Sequence, residues 1–167
     1  VKKSFTLVPF VISSPIPHRK ASLYAVHYDG DATSLPMQFF QRPEIVAHAK
    51  ERAFLLNLLK DFLTKGCVKS VFRNESKYHD SVAALFKHKQ FKKNALRLCC
   101  CRFGNALTIL GNGCVKKSQA SQQDPEYQGM LDEMKEIELL LTQRIKDREI
   151  AIRDDGTLDG NLCFEIL

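Results

Sequence analysis

No run of apolar residues in this chain approaches the roughly 20 needed to cross a bilayer as a helix, so no membrane-spanning helix is expected. A secretory leader is not expected either. Lys2-Lys3 precede an apolar patch, but Ser4, Thr6, Pro9 and Ser13 interrupt it and no small-residue cleavage pattern follows. That opening stretch reads instead as an edge strand. Short-spaced pairs of Cys and His are also missing, so a zinc site drawn from Cys67, His79, His88 and Cys114 is not expected, and no cofactor is implied. The chain has no internal repeat and no low-complexity segment.

Cysteine itself is not scarce, and Cys99, Cys100 and Cys101 are consecutive among the six. Neighbouring strand residues point to opposite faces, and 167 residues can bury a core without disulfide staples. The thiols are expected to be reduced and to act as small hydrophobes, which points to the cytoplasm. Cys67 and Arg73 reproduce the Cys-x5-Arg spacing of phosphatases with a phosphate-cradling loop. Such a loop needs small residues so that backbone N–H groups converge, and Val68, Val71 and Phe72 are bulky. A buried strand cysteine is the better reading.

Charge is unevenly spread over the net +6: residues 1–123 hold 20 Lys and Arg against 7 Asp and Glu, whereas residues 124–167 hold 5 against 12. A basic body of this kind attracts phosphate backbones.

The richest stretch is Ala95 to Lys117. Two apolar runs flank Gly104-Asn105, a two-residue connection suited to a tight turn, so a central β-hairpin is expected, its second strand ending at Gly111-Asn112-Gly113. Alternation puts Leu96, Leu98, Cys100 and Arg102 on one face of the first strand, and Arg97, Cys99, Cys101 and Phe103 on the other. Each face thus carries one arginine, and a guanidinium among apolar residues needs an open face or a partner.

In chain order, Ser22 to Tyr28 alternates as a strand and Met37 to Gln41 reads as a shorter extended piece. Arg42-Pro43-Glu44 opens a helix that Gly66 ends, and Asn74 to Lys87 reads as a second helix. The connector Lys87 to Lys93 interleaves Lys87, Lys89, Lys92 and Lys93 with His88 and Phe91. That mixture suits a phosphodiester chain with an unstacked base, and equally a solvated basic turn. Asp124-Pro125-Glu126 starts a further helix, striped by Tyr127, Leu131, Met134, Ile137, Leu141 and Ile145 and reaching about Lys146. Asn161 to Ile166 reads as a last short strand for a sheet edge.

The order of strand, helices, basic connector and hairpin ends in Gly113-Cys114-Val115-Lys116-Lys117-Ser118-Gln119. With Leu96-Arg97-Leu98, Arg102-Phe103-Gly104-Asn105 and Leu107 to Leu110, it resembles the RelE/ParE-type toxin superfamily of bacteria, including its HigB-like and phage-derived branches. A Bacteroidetes-like group within it continues with a Pro-capped helix and finishes as Gly160-Asn161-Leu162-Cys163-Phe164-Glu165-Ile166 does here. The resemblance implies one small α+β domain over residues 1–167, with a core at about 22–117 and a C-terminal helix and strand extension at 124–167. It implies a curved, mostly antiparallel sheet, packed by two to three helices on one face and open on the other.

It further implies a toxin of a type II toxin–antitoxin pair, cutting messenger RNA without a metal, with RNA or the ribosome and a small helix-turn-helix antitoxin as partners. Cleavage through the 2′-hydroxyl needs a base or its electrostatic equivalent, cations for the developing phosphorane charge, and an acid for the leaving oxygen. The residues offered for these roles are Arg97, Arg102, Lys116, Lys117 and His88, a type that titrates near neutrality. Lys87, Lys89, Lys92, Lys93 and Phe91 are offered for RNA binding. The C-terminal tyrosine of some family members has no counterpart, Tyr127 belonging to a helix stripe. The alternative is a non-catalytic binding module of the same fold, for DNA, the ribosome or a gyrase-type protein.

Overall fold

The computed structural model describes residues 3–12, 15–74, 81–88, 91, 95–117 and 124–166. Within them the chain runs β1 (Lys3–Pro9), β2 (Ser22–Tyr28), α1 (Leu35–Gln41), α2 (Pro43–Ala47) and α3 (Ala49–Lys65). There follow β3 (Phe72–Asn74), β4 (Val82–Leu85), β5 (Leu96–Phe103), β6 (Leu107–Val115), α4 (Pro125–Lys146), β7 (Ile150–Ile152), β8 (Leu158–Gly160) and β9 (Cys163–Ile166). Seven strands form one sheet in the order β3-β4-β5-β6-β2-β1-β9, and β7 pairs with β8 in a separate ribbon. Neighbours in the large sheet are antiparallel except β2 and β6, which run parallel. The class is α+β, as expected.

β5 and β6 form the expected hairpin at the middle of the sheet. Leu96 faces Val115 and Phe103 faces Leu107, so the turn takes Gly104, Asn105 and Ala106 where two residues were expected. Gly104 sits at a φ of 63°, a region that glycine enters without strain. β6 also runs through Gly111-Asn112-Gly113 rather than ending there, absorbing one bulge where the register shifts between Leu98 and Cys100. It can do so because Gly113 has no side chain to strike the Phe39 ring packed over it.

Side chains alternate along β5 as strand geometry requires. Cys99 and Cys101 join Tyr127, Leu131 and Met134 of α4 in one core. Leu96, Leu98 and Cys100 join Phe39, Leu55, Leu59 and Phe62 of α1 and α3 in another. The open sheet face expected from the resemblance is therefore corrected: α4 lies on one side and α1 to α3 on the other. The cause is in the strand itself, since the near-continuous apolar run Leu96 to Cys101 is buried throughout, as in sheets covered on both faces.

Other expectations shift for local reasons. Met37 to Gln41 is helical, because Ser34 and Pro36 start α1 and Phe39 and Phe40 find buried places on it. The helix opened at Pro43 breaks at His48, whose ψ of 58° is not helical, and resumes as α3 until Gly66 caps it at a φ of 90°. The helix expected over Asn74 to Lys87 is contradicted where its residues are described, Asn74 ending β3 and Val82 to Leu85 forming β4, with residues 75–80 lying outside the description. Val82 to Leu85 are buried at all four positions, so no alternation marked them as a strand. The opening strand β1 is not an edge, because β9 pairs along it from Lys3 opposite Ile166 to Thr6 opposite Cys163.

α4 spans the expected range. Asp124 Oδ1 accepts the Tyr127 N–H at 3.2 Å, satisfying a donor of its first turn. Near its other end Arg144 donates to the Asn161 carbonyl at 2.8 Å and lies 4.0 Å over the Phe164 ring, tying down the segment that becomes β9. No helix among the described residues is long and apolar enough to cross a membrane.

None of the six cysteines forms a disulfide, five of them being buried and Cys163 exposed. A thiol reagent at neutral pH is expected to modify one cysteine quickly in the folded protein and six after unfolding. Ellman titration checks this, and fewer than six in the unfolded state would mean that disulfides exist.

Candidate nucleic-acid interface

The hairpin gathers cations at the end where β5 starts and β6 stops. Arg97 stands opposite Cys114, and the Lys116 N–H donates to the Ala95 carbonyl at 2.8 Å, extending the pairing by one residue. Arg97, Cys114 and Lys116 are thereby set on the α4 side of the sheet. The Lys116 ammonium lies 5.5 Å from the Tyr127 ring centre, and the Lys117 N–H donates to Asp124 Oδ2 at 3.3 Å. Lys117 is exposed, Lys116 half-buried, and Arg97 only 7 % exposed, its Nη1 donating to the Leu96 carbonyl at 2.9 Å.

A fourth cation comes from far away in sequence. Arg42, at the start of α2, donates from Nη1 to the Gly113 carbonyl at 2.8 Å and from Nη2 to Asn112 Oδ1 at 2.6 Å. Its ion pair with Glu126 is long, at 3.9 Å, and part-exposed, so it contributes little. The motif reading missed Arg42, which looked only like the residue before a helix-starting proline. Asn112 was the available sign: a polar residue inside an apolar strand needs a partner.

Arg102 does not belong to this group. It lies five positions along β5 from Arg97, about 17 Å of strand, and on the opposite face. Its Nε donates to the Cys67 carbonyl at 3.0 Å, its Nη2 donates to Asn105 Oδ1, and its guanidinium lies 5.7 Å from the Phe72 ring. The odd spacing of the two arginines on one strand separates them.

His88 and Phe91 fall on the α3 side. The His88 ring is 4.8 Å from that of Phe54, and Phe91 packs 4.9 Å from Phe54 and 5.5 Å from Phe86. Phe91 thus joins an aromatic group of the core margin rather than standing clear for a base. Lys87 is exposed, its N–H donating to the Val71 carbonyl at 2.7 Å. Lys89, Lys92 and Lys93 lie outside the described residues.

A second histidine sits at this margin. Glu51 accepts the Ala95 N–H at 2.6 Å with one oxygen and lies 3.2 Å from His48 Nδ1 with the other. That carboxylate joins the α2–α3 break to the start of β5.

Burial disfavours the thiolate both at Cys114, at this end, and at Cys67, at the turn end of the hairpin. Cys114 is pushed up to about 12, first by burial and then by Asp124 and Glu126, with Arg42 and Arg97 acting the other way. Cys67 is pushed up to about 11 by burial, with Arg102 acting the other way. Arg73, its Cys-x5-Arg companion, donates to the Phe86 carbonyl at 2.9 Å, so the pair frames no phosphate cradle. Among the described residues no group of three or more His, Cys, Asp or Glu side chains is placed to hold a metal ion.

What remains at this end is a set of four cations, two on long side chains at or near the surface, beside the N-terminus of a 22-residue helix. Such a set can hold phosphate oxygens by charge and hydrogen bonding. No family model, curated protein or solved structure matches the chain.

Proposed function

We propose that the protein is a RelE/ParE-type toxin that acts on messenger RNA through the cation group at the start of β5 and the end of β6. One observation carries this: Arg97, Lys116 and Lys117, three of the five residues drawn from the motif, lie at the same end and are joined there by Arg42. Their positive charge suits the phosphodiester and the phosphorane-like charge of 2′-hydroxyl attack, where electrostatic stabilisation supplies much of a rate enhancement. Arg102 is not assigned to the reaction.

A second reading, binding without cleavage, is favoured by a separate observation. His88 packs against Phe54 on the α3 side, whereas Arg97 and Lys116 stand on the α4 side. The cations then retain RNA without a titrating base beside the scissile bond.

Regulated expression in bacteria separates these readings. The cleavage reading expects growth arrest with new 5′ ends mapped inside translated messages. Arrest with intact messages and RNA co-purifying with the protein supports binding alone. DNA-damage signalling with intact messages and no bound RNA would overturn both.

A further inference from the structure

The opposite end of the sheet, where Arg102 and the β5–β6 turn lie, holds an open, shallow cavity of about 480 Å³ lined by four separate segments. Arg19 and Lys20 come from the stretch before β2, Lys65 from the end of α3, Asn105 from the turn, and Asp154 and Asp155 from the β7–β8 connection. We propose that this cavity binds a nucleotide through its terminal phosphate monoester. It is independent of the RNA-binding group at the other end of the hairpin.

The walls are tied to one another by backbone hydrogen bonds. The Lys20 N–H donates to the Leu63 carbonyl at 2.8 Å, Ser22 N–H to Ala106 at 2.8 Å, and Cys67 N–H to Asn105 at 2.7 Å. Ser22 Oγ donates to the Asp155 carbonyl at 2.8 Å. Gly156, at a φ of 84°, lets that connection lie directly on the Ala106 carbonyl, where any Cβ would collide with it. A cavity fixed in this way needs little ordering when a ligand enters, and ordering is a main cost of binding.

The charges select the ligand. Asp155 is already engaged: Thr157 donates to it at 2.9 Å, Arg19 stands 3.7 Å away, and these contacts hold its carboxyl below the usual range. Lys65 pairs with Asp61 at 3.6 Å, an exposed helical pair that an incoming dianion displaces cheaply. Lys20 and Lys65 therefore supply the positive charge, and Arg102 holds the Asn105 side chain that lines the cavity. Asp154 adds a carboxylate that accepts hydrogen bonds from hydroxyl groups, as a ribose presents them. An anion lacking hydroxyls leaves that acceptor unused, whereas a nucleoside monophosphate satisfies both ends.

The test is an NMR titration of the full chain with adenosine monophosphate, inorganic phosphate, and a trinucleotide carrying either a 5′-phosphate or a 5′-hydroxyl. Adenosine monophosphate is expected to shift the Lys20, Gly66, Asn105 and Ala106 amides and to bind at least tenfold more tightly than phosphate. Lys20→Glu with Lys65→Glu, both exposed, should abolish the shifts while the protein stays folded. Lys116→Glu with Lys117→Glu should leave them intact whether or not RNA binding is lost. Binding of the 5′-phosphorylated trinucleotide as tightly as the monophosphate assigns the cavity to strand ends, and weaker binding assigns it to free nucleotides. No shift with millimolar adenosine monophosphate, shifts that survive Lys20→Glu with Lys65→Glu, or shifts of the same four amides by the 5′-hydroxyl trinucleotide at concentrations as low as the monophosphate requires would overturn the proposal.

Discussion

Gly113→Val is expected to lower the free energy of unfolding by about 3 kcal/mol, measured by urea denaturation. Position 113 lies opposite Leu98 in the hairpin, and any Cβ there meets the Arg97 carbonyl oxygen and the Phe39 ring, with Phe39 Cδ2 only 2.7 Å away. Phe39 is fully buried and packs edge-on against Phe40 at 5.0 Å between ring centres, so it has no vacant space to enter. The Arg97 carbonyl is strand backbone and moves only with β5. Two other glycines calibrate the claim. At Gly111 the added atom meets the end of the Met134 side chain, which rearranges readily, so Gly111→Ala should cost less than Gly113→Ala. Gly129 lies inside α4 with nothing within 4 Å, and Gly129→Ala should stabilise by about 0.5–1 kcal/mol through helix propensity. If Gly113→Val unfolds no earlier than the parent, the packing of α1 on β6 is wrong.

Lys116→Glu combined with Lys117→Glu is expected to weaken RNA binding by about 100-fold or more, equivalent to about 3 kcal/mol. Reversal removes two cations and adds two carboxylates beside Asp124 and Glu126, which already stand at the start of α4. Stability should change by less than about 1 kcal/mol, because Lys117 is exposed and the Lys116 contact to the Tyr127 ring is a long one, at 5.5 Å. Fluorescence anisotropy with a labelled single-stranded RNA measures the first effect, and thermal unfolding the second. Lys135→Glu, on the exposed side of α4, should leave affinity nearly unchanged. Arg144 is not a comparable control, since its contacts to Asn161 and Phe164 hold the C-terminal segment in place.

Residues whose signals are local were read well. Asp124-Pro125 and the stripe from Tyr127 to Leu141 placed α4 because capping and helical period act within a few residues. The apolar runs flanking Gly104 placed the hairpin for the same reason. β4 was misread because burial on both faces erases alternation, leaving Val82 to Leu85 as easily helix as strand. α1 was misread because seven residues hold too few turns to display a period.

The candidate site divides along the same line. Arg97, Lys116 and Lys117 were legible because hairpin pairing joins residues close in sequence. Alternation had already placed Arg97 and Arg102 on different faces, and grouping them contradicted the strand geometry that named them. Arg42 reaches Gly113 and Asn112 across about 70 residues, a contact that no local pattern announces.

The most direct measurement is the dependence of RNA affinity on salt for the parent and for Lys116→Ala with Lys117→Ala. Each phosphate contact to a single strand contributes about 0.7 to the slope of log affinity against log salt. If the cations at the start of β5 and the end of β6 hold the backbone, the double variant should bind more weakly at low salt, with a slope shallower by about 1.4. An unchanged slope and affinity, with the parent binding RNA tightly, would place the interface elsewhere and contradict the account.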